Sequence, residues 1–480
     1  MRVLIVTSGQ GWPGGIATHA ALVARELHAR GHLVAVASIG AASPTDAMPW
    51  EVVADAASAA SAPNEAPYTF RHQVVVPAAA YVAPLPWWVA DVVGQVASHA
   101  RRLRPDASSG RVATAILGRI AAMVGHAAWM RAEAGFLERI LLHTSQADLA
   151  RLDAVRRRVD ADVEYLTDLT LVPMVARLPH RRAALVAAAQ GFELVARRGV
   201  PILPAIRAAR QRIARQRIAR VISGSHANVT ANLAPVWGEL GGPLPVAVVP
   251  YGVADVPAWC VGRVEAADVL RSAMPRAFGD FRGATRRFVI AWLSRIDAEK
   301  GADLALHVLA LLLARGVDAE LWLAGSAMPG GAHDSTIRST ARVLDLGDRL
   351  RLVGHVPTQA AKAALLRVAD AFLATFVRPE PFGLVVTEAM ACGLPVVAPD
   401  AGGPGEVLRD AGLGEMLYPP GDTGAAASRL ERLANDPILR AQAGSLARAA
   451  FVARWNAGAT GVALEAVLID AMNAAGKKRG

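Results

Sequence analysis

The chain contains little cysteine and few charged residues for its length. Cys260 and Cys392 are the only cysteines among 480 residues, so no disulfide framework holds the fold and a reducing compartment is expected. Charged residues make up 19% of the sequence and hydrophobic residues 53%, which is typical of folded domains and not of disordered chains. The length allows two domains, each with its own core.

The sequence also lacks a convincing membrane-spanning segment. The longest run without charge, residues 72–90, is about long enough to cross a bilayer as a helix. Pro77, Pro84 and Pro86 would break that helix. Residues 1–7 are typical of a buried strand and not of a signal peptide. We therefore predict a cytoplasmic protein.

Positive charge is concentrated in the amino-terminal half of the chain. Residues 1–254 carry 26 Lys/Arg against 17 Asp/Glu, whereas the remainder carries 25 against 24. Such an excess attracts nucleic acid, an acidic lipid surface or an anionic acceptor. Because no zinc spacing, RNA-binding aromatic motif or basic tail accompanies it, we do not expect a nucleic-acid partner.

Apolar strand-like runs alternate with helical patterns in both halves. Strands are predicted at 3–7, 33–39, 163–166, 184–188, 221–223 and 246–249, and again at 288–293, 320–324, 350–352, 371–374 and 395–398. This alternation predicts an α/β protein with two doubly wound, Rossmann-like domains. Ligands would then bind in the crevice at the carboxyl ends of the strands.

Residues 41–160 have the weakest pattern. Trp87 and Trp88 open an amphipathic helical stretch that ends near Arg101 and Arg102, and residues 136–159 also have a helical pattern. A series of arginines follows between Arg207 and Arg220. Ordinary packing with a solvated helix face explains these features, and so does a subdomain that binds the acceptor or faces a membrane.

Residues 378–393 place two carboxylates, Glu380 and Glu388, eight positions apart around a predicted helix start. Pro381 fits the first turn of a helix, and Gly393 fits the left-handed position that ends one. Free amides at such a helix start suit a diphosphate. A carboxylate on either side of a phosphate site suits a nucleotide sugar, which has a hydroxyl-rich ring at both ends.

This run resembles family 4 glycosyltransferases, which are retaining enzymes with the GT-B fold. The family pattern has two glutamates with seven residues between them, followed by the run that ends here at Val397. Further family elements stand at residues 294–301 and 402–406. The resemblance is strong over 288–455 and looser over the first 40 residues and over 160–256.

The resemblance implies GT-B organisation, with the two domains facing across a cleft. An acceptor-side domain would span 1–254 and include the atypical helical region 41–160. A nucleotide-sugar-binding domain would span 255–462. Residues 463–480 would then form a helix that crosses back to the first domain, and a tail.

The resemblance also implies roles for the motif residues. Arg295 and Lys300 would neutralise the donor diphosphate and its developing leaving-group charge, so neither a metal nor a cofactor is expected. Glu380 would contact the transferred sugar near its reacting face, and Glu388 would accept hydrogen bonds from the ribose. Amides for the phosphates and packing for the sugar would come from Phe382, Gly383 and Leu384.

The first glycine-rich turn admits three interpretations: a dinucleotide-binding turn, a loop beside a sugar donor, and a turn with a structural role alone. Residues 9–14 match the dinucleotide-binding fingerprint, but no acidic residue lies between Glu26 and Asp46, where NAD would need one. By resemblance, Gly14 and Gly15 instead let the chain pass close to the donor diphosphate and the acceptor. His19 follows on the helix and is a candidate acceptor contact, although such a histidine more often packs than reacts.

The first domain departs from the family pattern at one position. Gln190 stands where many members have histidine beside the anomeric carbon; it keeps a carbonyl and an amide but cannot titrate near neutral pH. Asp168 and Glu193 are further candidate acceptor contacts.

We therefore predict a retaining glycosyltransferase that moves a sugar from a UDP- or GDP-type donor to a glycan, lipid-linked or small-molecule acceptor. It could contact the inner face of an anionic membrane peripherally. The alternatives are a catalytically impaired nucleotide-sugar-binding or scaffold protein of the same fold, and an NAD-dependent oxidoreductase.

Overall fold

The computed structural model describes residues 1–7, 15–39, 69–70, 146–190, 218–240, 244–253, 262–281, 287–296, 299–326 and 333–477. The predictions for the fingerprint at 9–14, for Glu193, for Trp87 with the arginines near it, and for the arginine series before Arg220 lie outside these residues. Most of region 41–160 lies outside them as well.

The amino-terminal half forms a seven-stranded parallel sheet in the order β3-β2-β1-β4-β5-β6-β7. Its strands are β1 (Arg2–Thr7), β2 (Leu33–Ile39), β3 (Thr69–Phe70), β4 (Val163–Leu166), β5 (Ala184–Ala189), β6 (Ile218–Ser223) and β7 (Val246–Val248). β1, β4 and β5 are almost fully buried, as expected for parallel strands covered on both faces. Its helices are α1 (Gly15–Ala29), α2 (Gln146–Val159), α3 (Val172–Val175), α4 (His226–Asn228) and α5 (Ala234–Leu240), and a π turn (Val229–Leu233) joins the last two.

The carboxyl-terminal half forms a six-stranded parallel sheet in the order β10-β9-β8-β11-β12-β13. Its strands are β8 (Phe288–Leu293), β9 (Ala319–Ala324), β10 (Leu350–Gly354), β11 (Ala371–Leu373), β12 (Val396–Pro399) and β13 (Leu417–Tyr418). Its helices are α6 (Arg263–Ala273), α7 (Pro275–Phe278), α8 (Ala302–Ala314), α9 (His333–Val343), α10 (Gln359–Val368), α11 (Leu384–Ala391), α12 (Gly402–Asp410), α13 (Thr423–Asn435) and α14 (Pro437–Ala450).

The last helix, α15 (Ala457–Lys477), follows a π turn (Phe451–Trp455) and packs against α1, β5 and β6 of the first sheet. His32 Nε2 lies 2.8 Å from Glu465 Oε1 on this helix. Arg220, the one described member of the arginine series, forms an ion pair with Asp470. Helix α15 is therefore anchored on the amino-terminal domain.

The prediction of two doubly wound parallel sheets in a GT-B arrangement is confirmed. The strand predictions at 163–166 and 288–293 match β4 and β8, whereas the two-residue strands β3 and β13 were missed. The helix predicted from residue 136 is described only from Gln146 onward. Of the helices in the described ranges, none has both the length and the apolar character needed to traverse a bilayer.

Candidate active site

Two glycines define the helix of the glutamate motif. Gly383 has a φ of 84° and stands immediately before α11, and Gly393 has a φ of 66° just after it. A Cβ on Gly383 would lie 2.9 Å from Pro404 Cγ, so the position is restricted by packing as well as by conformation. The predicted placement of Pro381 in the first helical turn is wrong. The left-handed Gly383 delays the helix until Leu384, and Pro381 lies in the entry loop.

Glu380 is held by a lysine from a neighbouring loop. Lys300 Nζ lies 2.6 Å from Glu380 Oε2, and the two side chains are 14% and 20% exposed. Two hydrogen bonds of Thr375 hold the loop of Lys300 on the second domain. Thr375 Oγ1 donates to the Gly301 carbonyl at 2.7 Å and accepts from Trp292 Nε1 at 2.8 Å. The structure thus brings Glu380 and Lys300 together at the carboxyl end of the second sheet.

Glu388 is also paired with a lysine. Its Oε1 lies 2.7 Å from Lys362 Nζ, and the Glu388 side chain is only 6% exposed. Lys362 was missed by the sequence analysis, since it is 26 positions away on α10. The rarity of lysine in this sequence could have drawn attention to Lys362. The chain has only four lysines, and two of them contact the two glutamates of the motif. Lysine supplies a compact point charge that arginine does not imitate.

The other residues predicted to bind the donor lie well before the glutamate motif or between its two glutamates. Arg295 follows β8 and is exposed. Phe382 is buried, and its ring meets Tyr251 of the amino-terminal domain edge-on, with 5.6 Å between centroids. Leu384 is half-buried and begins α11. Phe382 therefore joins the loop of Glu380 to the first domain.

Two of the predicted site residues lie at the carboxyl edge of the first sheet. Gln190 directly follows β5, and its Nε2 donates to the Thr167 carbonyl at 2.8 Å. Asp168 follows the neighbouring strand β4 and is buried. Gly15 begins α1, whereas Gly14 and Glu193 lie outside the described residues.

His19 is buried beneath this edge. Its Nε2 lies 2.7 Å from Tyr165 Oη, and its ring centroid is 4.5 Å from that of Tyr251. Its Nδ1 has no hydrogen-bond partner among the described residues. Burial lowers the pKa of His19 to about 3, so the ring is neutral at physiological pH. This is the geometry of a packing residue, and a contact between His19 and an acceptor stays a prediction.

Comparison with known proteins places the glutamate motif in a family. Residues 277–450 match the family described as glycosyl transferases group 1. The phosphatidyl-myo-inositol mannosyltransferase of Mycobacterium leprae is 35% identical over 152 residues, which are 32% of this chain and 38% of that protein. The GDP-mannose-dependent monoacylated alpha-(1-6)-phosphatidylinositol monomannoside mannosyltransferase of Corynebacterium glutamicum is 31% identical over 174 residues, covering 35% of this chain and 43% of that protein. The chain therefore spans less than half the length of these two relatives.

A solved structure extends the likeness in fold to nearly the whole chain. Anabaena Alr3699/HepE in complex with UDP has a TM-score of 0.61, with 19% identity over 98% of this chain and 99% of that one. At this identity the likeness concerns the fold. The resemblance to family 4 glycosyltransferases is confirmed: the chain has the GT-B fold, and its residues 277–450 form a domain of the glycosyl transferases group 1.

Proposed function

We propose that the protein is a retaining glycosyltransferase that takes a sugar from a UDP- or GDP-type donor and transfers it to an acceptor hydroxyl. The observation that carries the proposal is the pair of lysine-held glutamates, Lys300 with Glu380 and Lys362 with Glu388, in the loop and helix that follow β11. These contacts fix two carboxylates within one motif, where the two ends of a nucleotide sugar would lie.

In the proposed chemistry, basic side chains bind the charged diphosphate, and the two glutamates bind hydroxyl groups of the nucleotide sugar. Arg295 and Lys300 neutralise the charge that develops on the departing diphosphate. Glu388 accepts hydrogen bonds from the ribose hydroxyls, and Glu380 accepts them from the transferred sugar. Because the cations are side chains, we propose that transfer needs no divalent metal.

The anomeric configuration is retained because the acceptor oxygen attacks the anomeric carbon from the face that the leaving group vacates. The bond between the anomeric carbon and the phosphate oxygen breaks and leaves its electron pair on the diphosphate. The acceptor oxygen forms the new bond on the same face, and its proton passes to the departing oxygen. Gln190 offers a carbonyl and an amide at the facing sheet edge but no titratable group.

The acceptor is proposed from chemistry shared with the relatives. The names of the two mannosyltransferases specify phosphatidylinositol-type acceptors, and the amino-terminal half of this chain carries the excess of basic residues. A lipid-linked acceptor with an anionic headgroup suits that charge, and reaching it would bring the protein to a membrane surface peripherally.

A thermal-shift panel of UDP- and GDP-sugars, with NAD included and with and without EDTA, tests the proposal. A ligand at 100 times its dissociation constant adds about 2.7 kcal/mol of stability. We expect stabilisation by one nucleotide-sugar class, in EDTA as well, and none by NAD. Stabilisation by NAD alone would refute the proposal.

A second candidate is a nucleotide-sugar-binding protein without transferase activity, and Gln190 favours it. Its amide donates to the Thr167 carbonyl, and no titratable side chain occupies this position. Binding of a donor without release of nucleoside diphosphate, across lipid, glycan and small-molecule acceptors, would support this candidate over the enzyme.

A further inference from the structure

The carboxylate of Glu406 forms hydrogen bonds that connect the two domains. Glu406 lies on α12 of the second domain, and its Oε1 accepts from the backbone amide of His226 at 3.0 Å. Its Oε2 accepts from the amide of Ala227 at 2.7 Å. Both amides open the helical run after β6, where backbone N–H groups have no partner within the helix. Bonds of this kind to a carboxylate are charge-assisted and strong.

The same segment of the first domain touches the donor-side loop directly. Ser225 Oγ donates to the Pro381 carbonyl at 2.5 Å. Gly224 approaches so closely that a Cβ there would lie 3.1 Å from Phe382 Cβ and 2.9 Å from the ring of Tyr251. Residues 224–227 therefore contact both α12 and the loop that carries Glu380.

The start of α12 supports that loop from the side of the second domain. The Gly403 amide donates to the Glu380 carbonyl at 2.8 Å. A Cβ on Gly402 would lie 2.4 Å from the same oxygen, and one on Gly403 would lie 2.4 Å from Phe382 Cα. With no space between them, the start of α12 and the loop of Glu380 are packed as one unit, so a shift of α12 would press on this loop.

The domains are also joined where the chain passes between them, independently of Glu406. The Val253 amide donates to the Trp455 carbonyl at 2.9 Å, and Thr460 Oγ1 donates to the Pro250 carbonyl at 2.9 Å. Neither contact involves Glu406 or α12. The half-buried Glu406, in contrast, is accessible to water, which can replace its two amide partners.

We propose that Glu406 is a positioning residue that latches the two domains together and thereby fixes the loop of Glu380 for transfer. The latch consists of the Glu406 bonds to the amides of His226 and Ala227, supported by the bond from Ser225 to Pro381. The part of this inference that concerns turnover rests on the proposed function, whereas the part that concerns closure does not.

Small-angle X-ray scattering of the full chain measures closure without any substrate. A compact chain of this length has a radius of gyration of about 23 Å. We expect the radius to rise in Glu406→Ala and to rise less in Glu406→Gln, which keeps one acceptor oxygen. Asp410→Ala is the matched control, because Asp410 lies on the same helix but faces Arg454 at the surface. It should match the wild type.

Turnover and nucleotide binding then separate a positioning role from a general structural one. In Glu406→Ala, the affinity for UDP or GDP should stay within about threefold, while kcat falls at least tenfold and recovers in part in Glu406→Gln. If Glu406→Ala fails to fold, Glu406→Gln and Ser225→Ala provide the same comparison. An unchanged radius of gyration in the folded variants would overturn the latch, even if the protein proved to bind no nucleotide sugar.

Discussion

Replacing Gly301 by alanine should distort the loop that presents Lys300. Gly301 has a φ of 69°, and a Cβ there would lie 2.1 Å from the Thr375 carbonyl oxygen. The left-handed conformation costs a non-glycine residue roughly 1–2 kcal/mol. The overlap with a backbone oxygen adds about 1–3 kcal/mol, as overpacking does. We therefore expect Gly301→Ala to lower the free energy of unfolding by about 2–5 kcal/mol.

Gly316, near the other end of the same helix α8, provides a matched control. It has a φ of 79°, but a Cβ there would have no atom within 4 Å. Gly316→Ala should therefore lose only the conformational part, about 1–2 kcal/mol. Urea denaturation of the two variants, at equal slope, measures the difference directly. Equal destabilisation would refute the argument that contact with Thr375 fixes this loop.

Three further predictions concern charge. Lys300→Ala should weaken binding of UDP or GDP about 10- to 150-fold in calorimetry, because a charge-assisted contact contributes about 1.5–3 kcal/mol. The control is Arg432→Ala, which removes an exposed ion pair with Glu415 and should leave nucleotide affinity unchanged. The pKa of His19 is about 3 in the folded state and 6.5 as a free side chain, so the unfolded chain takes up the proton first and stability falls as the pH drops below 6.5. Between pH 8 and pH 5 the wild type should lose about 2 kcal/mol more than His19→Asn in urea denaturation, and parallel losses would contradict this assignment. The protein should sediment with anionic liposomes at low salt and less at high salt, since each basic residue near such a surface contributes about 1 kcal/mol of binding energy. Equal, negligible pelleting with neutral and anionic vesicles would contradict membrane contact.

The sheets were predictable because their strands are buried on both faces. A parallel strand covered by helices is a short continuous apolar run, and β4, β8 and most of their neighbours have this pattern. A strand of two residues, such as β13, has too few positions to show any period. The start of α11 was misplaced because Gly383 has a left-handed conformation, which the spacing of Pro381 and Gly393 does not indicate.

The glutamates of the site were predictable from a local motif, but their partners were not. Lys362 reaches Glu388 across 26 positions, and Glu406 reaches His226 across 180. Such pairs arise from the way helices pack on the sheets and from the way the two domains meet. No spacing rule within one segment predicts either pair.

Calorimetric titration of UDP and GDP into Glu388→Ala and Glu380→Ala, compared with the wild type, tests the central claim most directly. If Glu388 holds the ribose and Glu380 serves the transferred sugar, Glu388→Ala should lose at least about tenfold in nucleotide affinity, equivalent to about 1.4 kcal/mol. Glu380→Ala should keep that affinity and lose turnover. Retained nucleotide affinity in Glu388→Ala together with its loss in Glu380→Ala would contradict the account.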